Sequence, residues 1–249
     1  MAVIQTNVVP KVHRLGHPVV NWYLVEDGEK LTAIDAGLPV FAKELERDLH
    51  ELGHRVEDVE AVVLTHSDSD HTGVAATLRD AGATVFIHAY DQPTLESPGP
   101  KTGDARPVEF MRNLWHPTFL RTVITFTRGG AARPSKLEGA ELIADGDVLD
   151  VPGKPRAIHT PGHTPGHCAF LFEDRGALLT GDEVATWNIV TGRRGPQLMP
   201  HGTNVSDVEV RSSLDRLAPL QGVKVALPGH GEPWHGPAET LAERARSAA

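Results

Sequence analysis

The sequence predicts an α/β layered fold, and three observations carry that expectation. Short apolar runs of strand character alternate with amphipathic segments of helical period along most of the chain. Several of those runs end in a turn that bears a His or an Asp. No apolar run approaches the roughly 18 residues needed to cross a bilayer, so the alternation describes a core and not a membrane span.

The elements follow in order. Residues 19–25 and 31–34 read as strands joined by the turn-like stretch 26–30. Over 40–53 a helix is expected, because Phe41, Leu45, Leu49 and Leu52 share one face and Gly53 stops it. AVVLT at 61–65 is a short apolar run, most simply a buried strand. A helix over 72–81 turns Val74 and Leu78 inward and ends at Gly82, and a strand follows at 84–88. Later strands are expected at 148–151, 156–159, 168–172, 177–180 and 223–227, with helices over 205–217 and 237–246. The segment 91–136 breaks the pattern. It is rich in Pro and Gly and then carries Phe110, Met111, Leu114, Trp115, Phe119 and Leu120, which suits either a lid over a site or a packed helical hairpin.

Composition sets the limits on function. A chain of 249 residues with 40% hydrophobic and 23% charged residues suits one folded domain over 1–249. Lys+Arg 24 against Asp+Glu 33 leaves a net charge of −9, which argues against nucleic acid as a partner. The first residues lack a basic stretch followed by an apolar one, so a cytoplasmic location without membrane contact is expected. Cys168 is the only cysteine, which excludes an internal disulfide and a Cys-rich zinc module. Histidine is the outlier at 14 copies, and imidazole is the commonest metal ligand.

Five strand candidates end in a ligand-type residue: LTAID at Asp35, AVVLTH at His66, RAIHTPGH at His163, ALLTGD at Asp182 and VALPGH at His230. Sites in α/β sheets gather at one end of the strands, so the five could converge. The densest signal is THSDSDHTG at 65–73. If extended, it projects His66, Asp68 and Asp70 to one side, and a turn into a helix would bring His71 back. As residues alone, the stretch also reads as a polar loop in which Asp70 caps a helix.

These residues, in this order, resemble the metallo-β-lactamase superfamily over about Val12 to Trp234. The resemblance implies an αββα sandwich with a two-metal site at one edge. It implies that His66, Asp68 and His163 hold one ion, that Asp70, His71 and His230 hold the other, and that Asp182 bridges them. Asp35 is then a supporting hydrogen-bond partner, and His167 a neighbour of the ligands. The family pattern reads His-x-His-x-Asp-His, so Asp68 stands where most members have His. An added anionic oxygen shifts preference from zinc toward iron or manganese. Three outcomes stay open: a dizinc site, a di-iron or manganese site, or one metal beside a weakened first half. Two divalent ions are taken first, with zinc ahead of iron or manganese.

Two cations about 3.5–4 Å apart can hold a hydroxide and polarise a carbonyl. The expected function is therefore a metal-dependent hydrolase of a small ester, thioester or lactone, similar to the glyoxalase-II-like and lactonase-like branches. Asp70 is assigned both metal binding and proton handling. An alkaline optimum is expected from the anionic ligand set, and metal affinity should fall in acid from about 6.5 as the histidines protonate. Two alternatives are kept: a di-iron redox or oxygen-sensing protein related to the flavodiiron branch, and a non-catalytic ligand binder with a weakened site. The expected partner is a small-molecule substrate, and a homodimer is an open possibility. Cys168 is read as a core residue before a nucleophile, and Asn204 as part of a glycosylation sequon without consequence. Trp187, Asn188, Arg193 and Arg194 are weighed as substrate contacts against packing and loop roles.

Overall fold

A computed structural model describes residues 5–105, 113–133 and 136–248. Phe110 and Met111 of the expected lid lie outside the described residues. The first sheet has seven strands in sequence order: β1 (Gln5–Val9), β2 (Val12–His17), β3 (Val20–Asp27), β4 (Lys30–Ile34), β5 (Val59–Val63), β6 (Thr84–His88) and β7 (Glu141–Ile143). Its first four strands pair antiparallel, and β4 to β7 run parallel. The second sheet uses β8 (Arg156–His159), β9 (Cys168–Phe172), β10 (Ala177–Gly181), β13 (Val225–Pro228) and β14 (Trp234–His235), in the order β14-β13-β10-β9-β8. A separate two-stranded ribbon pairs β11 (Ala185–Trp187) with β12 (Arg194–Gln197).

The inner faces of the two sheets form one core. Tyr23, Val25, Ile34 and Val63 meet Phe170, Phe172, Leu179 and Leu227 there. The outer face of the first sheet packs Trp22, Leu24, Val62 and Leu64 against Leu45 and Leu49 of α1 (Leu45–Glu51) and Ala75 and Leu78 of α2 (Ala75–Asp80). The outer face of the second packs Leu171 and Leu178 against Leu214 of α5 (Asp207–Leu217) and Leu241 of α6 (Ala238–Ala248). The result is the αββα sandwich that the resemblance implied. Alternate residues of the central strands serve two cores, which is why these strands read as unbroken apolar runs.

Differences from the sequence reading have local causes. The helix expected over 40–53 is a 3-10 turn at Pro39–Lys43 followed by α1. The helix expected from 72 starts at Ala75, with Val74 at its cap position, so Asp70 does not cap it. Residues 66–73 are not extended: His71 N–H donates to the Asp68 carbonyl at 2.9 Å and closes a turn. No strand forms at 148–151, where Val148 makes a single bridge to Arg156. β2 went unread because its polar residues are buried in pairs, His13 on Glu26 at 2.7 Å and Arg14 on Glu232 at 2.6 Å. Among the described residues of the 91–136 segment, α3 (Gln92–Glu96) is short and α4 (Pro117–Gly129) is the longer helix. Among the described residues, no helix is long and apolar enough to cross a membrane.

Stability should follow this layering. Leu49 is fully buried between α1 and the first sheet, so Leu49→Ala is expected to cost about 2–5 kcal/mol in denaturant unfolding. Val208, 77% exposed on α5, is the control: Val208→Ala should stay within about 0.5 kcal/mol of the parent.

Candidate metal centre

Parallel pairing of β4 with β5 and of β10 with β13 puts their C-terminal ends on one edge of each sheet. The loops that leave those ends carry Asp35, His66 to His71, Asp182 and His230, while His163 lies in the β8–β9 turn. Hydrogen bonds stitch the two sheets together there. Asn21 N–H donates to the Gly229 carbonyl at 2.8 Å, and its side chain donates to the carbonyls of Pro228 and Gly231 at 2.9 and 2.6 Å. Tyr23 donates to the Pro228 carbonyl at 2.8 Å, and Cys168 N–H to the Thr65 carbonyl at 2.8 Å.

Asp182 stands at the centre. Its Oδ2 lies 3.3 Å from His163 Nε2 and 3.2 Å from His230 Nε2, and its Oδ1 lies 3.4 Å from His71 Nε2. Asp70 Oδ2 is 3.6 Å from both His71 Nε2 and His230 Nε2. Asp68 Oδ2 is 3.1 Å from His163 Nε2 and 3.4 Å from His66 Nε2. All seven residues expected as ligands therefore meet. They form overlapping groups, each compact enough to hold an ion: His66, Asp68 and His163; His66, His71 and Asp182; and Asp70, His71 and His230.

The four imidazoles share one orientation rule. Each Nδ1 faces an oxygen away from the centre: Thr65 Oγ1 for His66 at 2.8 Å, Asp35 for His71 at 2.8 Å, Asn204 Oδ1 for His163 at 2.9 Å, and the Val19 carbonyl for His230. Thr65 Oγ1 donates to the Asp35 carboxylate, so it accepts from His66. An Nδ1–H that donates outward leaves an Nε2 lone pair pointing inward. Those lone pairs face carboxylate oxygens, which are also acceptors. His66 Nε2, His71 Nε2 and Asp182 Oδ1 are buried without a hydrogen-bond partner. Acceptors turned on acceptors in a buried site need a cation between them, so the residues present fit a divalent ion.

Electrostatics say the same. Burial works against charge on His71 and His230, yet Asp182 and its fellow carboxylates outweigh it and hold both above the ordinary histidine value. Burial also opposes ionisation of Asp182 and Asp68; His230 and His71 overcome it for the first, and Lys101 with His163 for the second. His167 is pushed well below its usual value, by burial first and then by His66 and His163. It is thus a neutral acceptor: its Nε2 takes the Asp182 N–H at 3.0 Å while its Nδ1 faces Thr160 Oγ1 at 2.8 Å. His167 and Asp35 thus each bond to a residue of the cluster, Asp182 and His71 respectively.

Three contributors went unread in the sequence. Asp91 is buried, and its carboxylate accepts from Ser67 N–H at 2.9 Å, the Thr164 hydroxyl at 2.7 Å and Gly166 N–H at 2.7 Å. It ties the 65–73 loop to the loop of His163. Asn204 is buried against His163, so its sequon is part of the site and not a surface loop. Lys101 Nζ lies 2.6 Å from Asp68 Oδ2 and 2.9 Å from His163 Nε2. Close packing also fixes Gly229, where a Cβ would fall 2.5 Å from Asp182 Oδ1. Cys168 is fully buried with its thiol pushed up by burial, and it faces the inter-sheet core, as expected of a packing residue. Asn188 holds its own turn by accepting from Val190 and Thr191, and Arg193 reaches the Ala248 carbonyl at 2.7 Å. Trp187 and Arg194 line a different cavity from the one above the cluster.

Comparison with known proteins decides the family. Residues 15–230 match the metallo-beta-lactamase superfamily profile. The chain belongs to that superfamily. It is 26% identical over 239 residues to the probable metallo-hydrolase YqjP of Bacillus subtilis (strain 168), covering 90% of this chain and 70% of that protein. It is 28% identical over 218 residues to the thioesterase pkgB of Emericella nidulans, covering 85% of this chain and 46% of the other. The crystal structure of the metallo-beta-lactamase family protein TTHA1429 from Thermus thermophilus superposes with a TM-score of 0.70 at 27% identity, covering 96% of this chain and 79% of that one. The chain spans less than two thirds of several of the curated relatives it matches. Membership in the superfamily makes divalent metal binding by this cluster the natural use of its geometry.

Asp91 gives the test of the scaffold. In Asp91→Asn an amide NH₂ replaces one acceptor oxygen that now receives a proton donor. The variant is expected to lose about 1–3 kcal/mol of stability and to bind metal about 10–100-fold more weakly. Denaturant unfolding and a metal competition titration would measure the two effects separately.

Proposed function

We propose that the chain is a metal-dependent hydrolase of small thioesters or esters, lactones included, whose acyl part is apolar. The observation that carries this reading is the cavity above the cluster. It has a volume of about 460 Å³; its floor is Asp70, Asp182, His163 and His230, and its wall includes Phe119, Val123, Phe126, Ile189 and Met199. Polar chemistry at one end and apolar walls above it suit an acyl group whose carbonyl reaches the floor. The identity of pkgB as a thioesterase supports the substrate class without fixing it.

A divalent cation held by Asp70, His71, His230 and Asp182 would supply a Lewis acid and an acidified water. Zinc is the first choice, because two imidazoles anchored through Nδ1 and two carboxylates form a mixed nitrogen and oxygen set that zinc accepts; iron or manganese remain within reach of the carboxylates. The residues do the rest. Asp70 lines the cavity and is the carboxylate that can accept a proton from attacking water and return it to the departing thiolate or alkoxide. Asp182 is buried, with its backbone N–H held by His167, and keeps its place in the cluster. The α4 wall excludes water from the acyl group, and Thr122 fixes α4 to the ribbon by donating to the Ile189 carbonyl at 2.7 Å.

Two outcomes test this. Metal-loaded protein should cleave aryl and acyl thioesters with kcat/KM rising up to about fourfold per added CH₂ until the cavity is full. Chelation should abolish the activity, and Asp70→Asn should lower kcat about 10²–10⁴-fold. Metal-loaded protein that cleaves no ester, thioester or lactone in the panel would end the proposal.

Metal binding should depend on pH with a sign set by the raised histidines. His71 and His230 hold protons above 6.5 in the metal-free cluster, and an incoming cation must displace them. Affinity should therefore still be rising above pH 6.5 and fall steadily in acid, a higher window than unperturbed histidines would give. A competition titration that reaches its plateau below pH 6.5 would contradict this assignment.

A further inference from the structure

The mechanism leaves Lys101 unused, yet its ammonium is inside the cluster. Lys101 Nζ lies 2.6 Å from Asp68 Oδ2 and 2.9 Å from His163 Nε2, and it donates to the Thr203 carbonyl at 3.0 Å. An ammonium has three N–H donors and no acceptor, and here each donor has an acceptor. Asp68 Oδ2 and His163 Nε2 are themselves only 3.1 Å apart. With its Nδ1–H spent on Asn204, His163 Nε2 has one lone pair, which can accept from the ammonium or bind an ion at about 2.0–2.2 Å but not both, so the two compete for that atom.

The loop that brings the lysine is held, not loose. Asp104 N–H donates to the Val205 carbonyl at 2.9 Å, and the Asp104 carboxylate accepts from Asp207 N–H at 3.2 Å. Gly103, at φ +74°, lets the backbone approach so closely that a Cβ would fall 2.1 Å from the Val205 oxygen. The other half of the cluster has no such occupant: among the described residues, Asp70 and Asp182 form their ion pairs with histidines and with no Lys or Arg.

We propose that the Lys101 ammonium, by occupying Asp68 and His163, keeps a second metal ion out of the His66–Asp68–His163 half, so that the protein works with a single divalent ion at Asp70, His71, His230 and Asp182. This rests on the metal-site reading above, but not on the choice of substrate. It also accounts for Asp68. An imidazole at that position offers no charge to balance an ammonium, whereas a carboxylate forms a short ion pair with it. Asp68 and Lys101 are then a matched pair, and the extra carboxylate is neutralised inside the protein instead of by a harder metal. The ammonium contributes fixed positive charge at the floor of the cavity, where a carbonyl oxygen would become negative. It cannot acidify water, so that task falls to the single ion.

Metal-free protein titrated with Co(II) and with zinc provides the test, read by calorimetry, by Co(II) absorption and by elemental analysis after gel filtration. The parent is expected to retain one ion per chain. Lys101→Met should retain two, the second bound at least about tenfold more tightly than any second ion in the parent. Lys101→Arg keeps the charge and should stay at one. Two ions of similar affinity in the parent would overturn the proposal, and so would a Lys101→Met protein that stays at one. Anomalous diffraction that places the parent's single ion between His66, Asp68 and His163 would overturn it as well. Protein that shifts from one ion to two yet hydrolyses nothing would sink the substrate reading alone. Protein that binds no metal in any variant would sink both.

Discussion

The centre depends on one electrostatic constraint: lone pairs and carboxylate oxygens are forced to face each other out of reach of water. Four imidazoles spend their Nδ1–H on outer oxygens, so their remaining nitrogens meet Asp68, Asp70 and Asp182 as acceptors. Left without a cation, such a cluster is costly wherever a buried acceptor has given up water and gained no donor. The unpartnered atoms of His66, His71 and Asp182 mark where that cost is concentrated. The rest of the fold must hold these groups together against their own repulsion, and the αββα sandwich does so with two sheets whose strand ends are joined by backbone hydrogen bonds.

Strain is placed where it serves this end. Asp35 has a positive φ of 61°, unusual for a residue with a side chain, directly after β4. The turn aims its carboxylate at Thr65 and His71 at once, with contacts of 2.8 Å to Thr65 N–H and to His71 Nδ1. Asp91 performs the matching task on the other side of the 65–73 loop, and His167 holds the backbone of Asp182. Asp35 and His167 thus hold ligands through atoms that face away from the centre, and Asp91 fixes the loops beside them. The metal-facing atoms are left free, as a site that must take up a cation requires.

Much of this was legible in the sequence. The five strand-end residues and the THSDSDHTG run named every member of the cluster, because their order along the chain mirrors the order of strand ends around one edge. The match of β9 to 168–172 and of β6 to 84–88, residue for residue, has a simple cause: β9 is an apolar run buried along its length, and β6 has an apolar middle, Val85 to Ile87, between polar ends. The residues that escaped notice act through tertiary contacts with no local pattern. Asp91, Lys101 and Asn204 sit in stretches that look like ordinary loop, and only folding brings them to Ser67, Asp68 and His163. β2 escaped for a related reason, since the charge of Arg14 is hidden by Glu232, which is 218 residues away.

The separation between anchors and occupants explains how one half of such a centre could change its cation without loss of the fold. His163 is oriented by Asn204, and His66 by Thr65; neither hold involves Lys101. Replacement of an ion by an ammonium on Asp68 and His163 would therefore leave both anchors in place. The lysine arrives on a loop from the 91–136 segment, which also supplies the α4 wall of the cavity through Phe119, Val123 and Phe126. A single stretch of chain thus supplies both the ammonium beside the cluster and one wall of the cavity. Because the described part of that stretch lies outside the two sheets, it can vary in sequence while the edge of strand ends stays the same.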